Sequence, residues 1–156
     1  ERGAKWIREG DLEASFVTSG GVTVGNATDF RIAETKEPCL RTTFEDGERC
    51  VPGASFATAA EFFSDASCES PLLTQYAGPC AVDLATVTYV ERDGDSCTSV
   101  ATAAFRVESY DGDIHQKDST TGDCISLQPA DGQIFFTRGA KIALGDMPLL
   151  PSDRAR

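Results

Sequence analysis

Short apolar segments separated by turn residues make up much of this chain. Four of these segments are rich in β-branched and aromatic residues at strand length: residues 12–18, 86–91, 105–109 and 134–137. Such segments, bounded at short intervals by glycine, proline and aspartate, are typical of strands. Because helical candidates are few, the pattern predicts an all-β domain of antiparallel hairpins.

Asp-Gly pairs mark four of the predicted turns. This dipeptide is favoured in two-residue loops because such loops need residues with positive φ. The chain therefore predicts three or four hairpins, at Asp46-Gly47, Asp93-Gly94, Asp111-Gly112 and Asp131-Gly132. Glycines mark further turns at Gly20-Gly21 and Gly25-Asn26.

Residues 58–65 allow two interpretations. Thr58 and Glu61 have the spacing of a helix capping box, and two phenylalanines follow, which would suit a short helix. The strand interpretation is favoured because the same residues take part in a loose sequence repeat.

The repeat combines an Asp-Gly-x-x-Cys motif with an Ala-Thr-Ala-Ala segment. Cys50 ends the first copy of the motif and residues 57–60 follow it, whereas Cys97 ends the second copy and residues 101–104 follow. Arg-Gly-Ala-Lys also occurs twice, at residues 2–5 and 138–141. Related hairpin units predict a sandwich, a trefoil-like barrel or propeller-like blades. Residues 1–156 are expected to form a single domain, and one unit of a longer tandem array is a further hypothesis.

Six cysteines without a Cys-x-x-Cys pair favour disulfides over a zinc site, with free buried thiols as the remaining alternative. Many pairings are open to six cysteines. Links between successive cysteines are preferred: Cys39–Cys50, Cys68–Cys80 and Cys97–Cys124. If Asp46-Gly47 is a two-residue loop, Cys50 lies opposite Thr43, so the first link needs an offset or a bulge.

The amino-acid composition restricts the possible binding partners and the cellular location of the protein. The net charge of −11 disfavours nucleic acid and anionic lipid, which both require clustered lysine and arginine. No segment reaches the roughly 18–20 apolar residues of a membrane-spanning helix, so membrane insertion is not expected. Disulfides predict a secreted or cell-surface protein, because they persist outside the reducing cytosol.

Candidate chemistry is sparse. His115 is the single histidine, and its polar surroundings favour a solvated loop over a catalytic triad. Paired carboxylates at the turns could serve glycoside hydrolysis, yet solvation of turns already accounts for them. Asp111, Asp113 and Asp118 are weak candidates for calcium ligands, without the spacing of a known calcium loop. No other cofactor and no catalytic residues are expected.

Aromatic residues raise one further possibility. A platform that stacks on sugars could be formed by Trp6, Tyr76, Tyr89 and Tyr110. Aromatic residues scattered at strand spacing belong more often to a core.

Residues 39–72 resemble a known family. The run from Cys39 to Pro52 contains Phe-x-Asp-Gly-x-x-Cys-x-Pro in outline, and Phe62-Phe63, Cys68 and Pro71-Leu72 follow it. This pattern is similar to an uncharacterised cysteine-containing repeat domain of secreted or lipoprotein-like proteins of myxobacteria. The resemblance implies a bacterial source and an extracellular or surface location, and it implies no catalytic residues.

The expected function is therefore non-catalytic. The chain is interpreted as an extracellular or cell-surface structural or adhesive module that associates with itself or with other proteins, for example in a filament or a surface layer. The alternative is a carbohydrate- or ligand-binding module that is assisted by calcium.

Overall fold

The computed structural model describes residues 2–76, 86–94 and 99–151, and the following account refers to these residues. They form twelve strands: β1 (Arg2–Glu9), β2 (Leu12–Ser19), β3 (Val22–Ile32), β4 (Pro38–Phe44), β5 (Gly47–Pro52), β6 (Ser55–Phe63), β7 (Pro71–Tyr76), β8 (Val87–Asp93), β9 (Val100–Tyr110), β10 (Ile114–Lys117), β11 (Cys124–Leu127) and β12 (Gln133–Lys141). The only helical element in this part of the chain is a 3₁₀ turn at Leu144–Asp146. The predicted all-β class is confirmed, and none of the described helical structure could cross a membrane.

Five strands close into a barrel in the order β6, β7, β12, β9 and β8. Four of the five pairings are antiparallel, and the pairing of β8 with β6 is parallel and completes the ring. One core cluster draws a residue from each of four of these strands: Ala57, Leu73, Val87 and Phe136. Val107 of β9 packs against this cluster. The closed ring has a filled interior and no free edge within it.

Gly53 allows the chain to start β6 against β8. Its φ is +141°, and a Cβ at this position would lie 2.6 Å from Thr88 Oγ1. Thr88 is fully buried, and its hydroxyl donates a 2.5 Å hydrogen bond to the Pro52 carbonyl oxygen. This close approach requires glycine, because any side chain would collide with Thr88.

Seven strands lie outside the ring. On one side β1, β2 and β3 form a meander, and β3 continues into the β4–β5 hairpin, which meets β9 through one parallel bridge between Phe44 and Ala101. On the other side the β10–β11 hairpin joins β6 at Phe62 and Phe63. The sheet therefore runs from β1 at one end to β11 at the other.

The segment after β12 holds the β4–β5 hairpin on the barrel. Met147 is almost fully buried in a cluster with Phe44, Val51 and Ala104. Arg49 donates from its guanidinium to the Met147 carbonyl oxygen at 2.6 Å and to the Asp46 carboxylate. Burial of apolar side chains and charge-assisted hydrogen bonds therefore act at the same junction.

The hairpins predicted at the four Asp-Gly pairs are not all observed. A hairpin forms at the first pair, as predicted, but its two-residue loop is Glu45-Asp46, with Phe44 opposite Gly47. Asp93-Gly94 begins the connection within the antiparallel β8–β9 pair. Asp111-Gly112 and Asp131-Gly132 do not form hairpins, because β10 pairs with β6 and β11 while β12 pairs with β7 and β9. An Asp-Gly pair sets local φ values, whereas the partners of a strand are decided by packing over its length.

Two further expectations are settled by strand pairing. Gly20-Gly21 forms the loop between β2 and β3, as predicted, whereas Gly25-Asn26 lies within β3, where the register with β2 shifts. Residues 58–65 begin in β6 as a strand, so the helical alternative is wrong. The two Ala-Thr-Ala-Ala segments lie on opposite sides of β8, one parallel and one antiparallel to it, and are not structurally equivalent.

The disulfide Cys39–Cys50 is confirmed, together with its offset. Cys39 lies opposite Pro52 and Cys50 opposite Arg41, so the link runs diagonally across the hairpin with a Cα–Cα distance of 5.2 Å. That distance lies within the usual range for a disulfide.

The second disulfide corrects the predicted pairing. Cys68 is bonded to Cys124, with a Cα–Cα distance of 5.8 Å, and not to Cys80; Cys124 is therefore not bonded to Cys97. The β10–β11 hairpin packs on β6 and brings Cys124 beside the loop that follows β6. Nearness in sequence was the wrong criterion, because sheet pairing decided which cysteines meet. Cys80 and Cys97 lie outside the described residues.

Peptide mapping without reduction should recover the links Cys39–Cys50 and Cys68–Cys124. Replacing Cys68 and Cys124 together by alanine should lower the free energy of unfolding by about 4 kcal/mol, because the disulfide spans 56 residues and restricts the unfolded chain. Chemical denaturation measures this loss. A Cys68–Cys80 peptide, or an unchanged free energy of unfolding in the variant, would contradict the assignment.

Candidate functional site

A cleft of about 780 Å³ opens between the meander and the barrel. On the meander side it is lined by Arg8, Asp11 and the β3–β4 connection, and on the barrel side by Arg106, Lys141 and the residues that follow. The complete lining consists of Arg8, Asp11, Ile32, Glu34, Thr35, Glu37, Pro52, Arg106, Ala140, Lys141, Ile142, Gly145, Asp146 and Pro148. Such a volume is adequate for a small ligand.

The cleft is charged at its rim and apolar at its base. Arg106 and Glu37 form a two-pronged ion pair across it, with N–O distances of 2.5 and 2.9 Å. The hydrogen bond to Glu37 raises the pKa of Arg106, and the Asp146 charge contributes to the rise. Pro52 and Ile142 are buried below this pair. The arrangement suits a polar ligand that carries both signs of charge.

The described lining contains no histidine, cysteine, serine or tyrosine. Its titratable groups are carboxylates and cations, and Glu37 is already bonded to Arg106. Thr35 supplies the hydroxyl of the lining, which accepts a hydrogen bond from the Glu37 backbone N–H at 3.3 Å.

His115 lies in a strand and not in a loop, which corrects the prediction. It belongs to β10, opposite Ser126 of β11 and Phe63 of β6. Its side chain is half-buried, and Nδ1 makes no hydrogen bond with the described residues. His115 does not line the cleft. The alternation of apolar residues around residue 115 was too short to reveal the strand.

The three calcium candidates do not form a cluster. Within the described residues, no group of three histidine, cysteine, aspartate or glutamate side chains is placed to hold a metal ion. Asp118 instead accepts hydrogen bonds from the backbone N–H groups of Thr120 and Thr121 at 2.7 and 3.0 Å, which lowers its pKa. Asp111 and Asp113 are exposed near the start of β10.

The four aromatic residues occupy separate places and form no common platform. Tyr89 packs against the barrel core and stacks on Phe105, with ring centroids 6.2 Å apart. The Tyr110 hydroxyl donates towards the Ser64 and Asp113 carbonyl oxygens. Tyr76 is exposed at the end of β7.

Trp6, the fourth of these residues, belongs to the meander. The Arg31 guanidinium carbon lies 4.1 Å from its ring centroid. Arg31 also binds Glu13 at 2.6 Å, and Lys36 binds the other oxygen of the same carboxylate. These two cations lower the pKa of Glu13, Lys36 having the larger effect. The Glu13 carboxylate is thereby shared between two cations.

The strands at the two ends of the sheet each have one edge without a neighbour within the described residues. We call them the β1 edge, the side of Arg2–Glu9 away from β2, and the β11 edge, the side of Cys124–Leu127 away from β10. Exposed apolar side chains accompany both edges, with Trp6 exposed by 38% and Ile125 by 44%. A free edge presents unpaired backbone donors and acceptors and can pair with another strand.

The Asp65 carboxylate organises the loop that carries Cys68. It accepts hydrogen bonds from the Ser67 hydroxyl and from the backbone N–H groups of Glu69 and Ser70. These bonds hold the pKa of Asp65 far below its usual value, the Ser67 hydroxyl having the largest effect. Cys68 has a φ of +55° and is buried, so the carboxylate stabilises an unusual backbone conformation beside the disulfide.

Comparisons with protein families, with curated proteins and with solved structures found no match for this chain. The function therefore has to be argued from the cleft, the two edges and the disulfides.

Acid should destabilise the protein in part through Asp65. The stabilisation from its ionised carboxylate is complete above the usual aspartate pKa of about 3.9 and is lost as the pH falls towards the lower pKa of the folded protein. Asp65→Asn removes this titration, so its free energy of unfolding should fall less steeply in acid. Denaturant unfolding measured from neutral pH down into acid tests this.

Asp123→Asn is the control, because the Asp123 carboxylate accepts no hydrogen bond from the described residues. If wild type and Asp65→Asn had the same acid dependence, the stabilising role of the Asp65 carboxylate would be wrong.

Proposed function

We propose that this chain is a non-catalytic structural or adhesive module of the cell exterior, and that it associates with other copies of itself through the edges of its sheet. The observation that carries the proposal is the pair of free edges at the two ends of one continuous sheet. Pairing of such edges between molecules supplies backbone hydrogen bonds without a deep binding pocket.

The disulfides support the proposed location outside the cell. Cys39–Cys50 and Cys68–Cys124 indicate a non-reducing environment, because cytosolic thiols are kept reduced. Secretion or display on a cell surface is the setting in which both links persist. The resemblance of residues 39–72 to a domain of secreted bacterial proteins favours the same setting.

The fold also supports a mechanical role. The barrel ring is closed, so its five strands hold one another without relying on the outer strands. Cys39–Cys50 links the two strands of the β4–β5 hairpin, and Cys68–Cys124 links the start of β11 to the loop that follows β6. The β11 edge is thereby held beside ring strand β6, which suits a building block better than a flexible linker.

Purified wild-type protein should form concentration-dependent oligomers or filaments under non-reducing conditions. Size-exclusion chromatography with light scattering gives the mass, and negative-stain microscopy gives the form. Protein treated with a reductant serves as the control. Loss of the Cys68–Cys124 disulfide frees the β10–β11 hairpin from the loop after β6 and should therefore lower the extent of association. A strict monomer at high concentration would contradict the proposal.

A ligand-binding module is the second candidate, and the cleft favours it. Its rim of opposite charges around the Arg106–Glu37 pair could orient a polar ligand such as a charged glycan. The aromatic residues do not contribute to this cleft, so binding would depend on ion pairs and hydrogen bonds.

Lys141→Glu should abolish binding on a glycan array if the cleft is the binding site, because it removes an exposed cation from the rim. Lys117→Glu is the matched control, since Lys117 lies on β10 and outside the cleft. Adding a chelator tests whether calcium assists binding. Wild-type protein that binds no glycan, or equal binding by both variants, would contradict this second candidate.

A further inference from the structure

The two ends of the sheet differ in charge. We infer that copies of this chain join head to tail, with the β1 edge of one copy pairing with the β11 edge of the next. The inference rests on the proposed function and names the partner of each edge. It follows from three observations: which backbone groups point outward, which charges accompany each edge, and where the edges lie in the sheet.

The β1 edge offers the N–H and C=O groups of alternate residues. Glu9 and Leu12 close the two-residue loop between β1 and β2 and therefore form a hydrogen-bonded pair. In an antiparallel pair, alternate residues direct their backbone groups to the partner strand. Ala4, Trp6 and Arg8 therefore direct theirs away from β2, whereas Lys5 and Ile7 bond to β2.

The β11 edge offers the corresponding groups. The Asp118 N–H donates to the Asp123 carbonyl oxygen at 2.8 Å, and these residues continue the register of β10 with β11. Ile125 therefore bonds to β10, and the neighbouring Cys124 and Ser126 direct their backbone groups outward. Each edge thus presents an alternating row that the other can complete.

The charges select the pairing of unlike edges. β1 carries three basic residues, Arg2, Lys5 and Arg8, and one acidic residue, Glu9. Two β1 edges would bring these cations together, which opposes self-pairing of β1. A lysine at an edge is a common safeguard against aggregation, but it does not exclude an acidic partner.

The β11 end is acidic. Its hairpin is flanked by four exposed aspartates and the half-buried Asp118, with Lys117 as the cation of the hairpin itself; the exposed ones are Asp111, Asp113, Asp123 and Asp131. The charge of the whole chain is −11, whereas β1 holds three basic residues and one acidic residue, so this edge strand is a cationic exception on the molecule. Attraction between the two ends both steers and orients the encounter of two copies.

One antiparallel register satisfies both the hydrogen bonds and the charges. Outward-facing residues must oppose one another, and placing Ala4 opposite Cys124 meets this condition. The same register places Lys5 opposite Asp123 as a non-hydrogen-bonded pair, in which side chains approach most closely. Neither side chain forms an ion pair with the described residues of its own copy.

Head-to-tail contact leaves both ends of a pair free. After two copies join, one β1 edge and one β11 edge remain unpaired, so a third copy can add in the same way. An interface between two different surfaces produces an open filament or a ring, and it does not stop at a dimer. The wild-type products should therefore include species larger than a dimer.

Charge reversal tests the proposed pair. Lys5→Glu and Asp123→Lys should each raise the concentration needed for assembly by about tenfold, because each replaces an attraction by a repulsion. An equimolar mixture of the two variants should assemble again, since each can then face an opposite charge. Light scattering at low and at moderate salt measures these changes, and salt should weaken the wild-type assembly.

Backbone variants test the edges themselves. Ala4→Pro and Ser126→Pro each remove one outward N–H and leave the bonds to β2 and β10 in place, so both should reduce assembly. Ala4→Thr and Ser126→Thr are the controls, because they keep the N–H. Thermal unfolding of each variant confirms that the fold is retained.

The outcomes separate this inference from the proposed function. If the wild type assembles and all four edge variants assemble equally well, association uses another surface and the inference is wrong. Failure of the charge-reversed mixture to recover would refute the pairing of Lys5 with Asp123. Wild-type protein that remains a monomer would refute the proposed function itself.

Discussion

The parallel pairing of β6 with β8 is the contact on which the rest of the structure depends. Residues 55–57 pair with residues 87–89, and this short ladder turns four antiparallel pairings into a closed ring. Gly53 permits it by letting the chain pass Thr88 without a side chain, and the buried Thr88 hydroxyl binds the neighbouring carbonyl oxygen. Without this ladder β6 and β8 would each expose an edge, and the hairpins attached to β6 and β9 would lose their common support.

The sequence predicted the class of the fold better than its connections. Segments such as residues 12–18 and 134–137 are rich in β-branched and aromatic residues, and both lie in strands. The partners of each strand depend on packing between distant residues, which neither an Asp-Gly pair nor a local repeat reports. Cys124 illustrates the difference: its bond to Cys68 follows from the docking of β10 on β6, an event that no local pattern encodes.

The candidate sites were predicted less well, for a related reason. The cleft is formed by residues 8–37, Pro52 and residues 106–148, and Arg106 and Glu37 form an ion pair in it, so its members are far apart in sequence. The aspartates before and after β10 were visible as a cluster in the sequence. The Asp118 carboxylate, however, already accepts a hydrogen bond from a backbone N–H group of its own loop. A free edge cannot be read from the sequence either, because it is defined by the absence of a neighbouring strand on one side.

The position of β12 in the ring has a consequence for biosynthesis. It pairs with β7 on one side and with β9 on the other, yet it is the last of the five ring strands along the chain. A nascent polypeptide that has not yet reached Lys141 holds the other four strands as an unfinished sheet, with β7 and β9 exposed to any passing strand. The ring can therefore close only after the whole segment up to Lys141 has been synthesised.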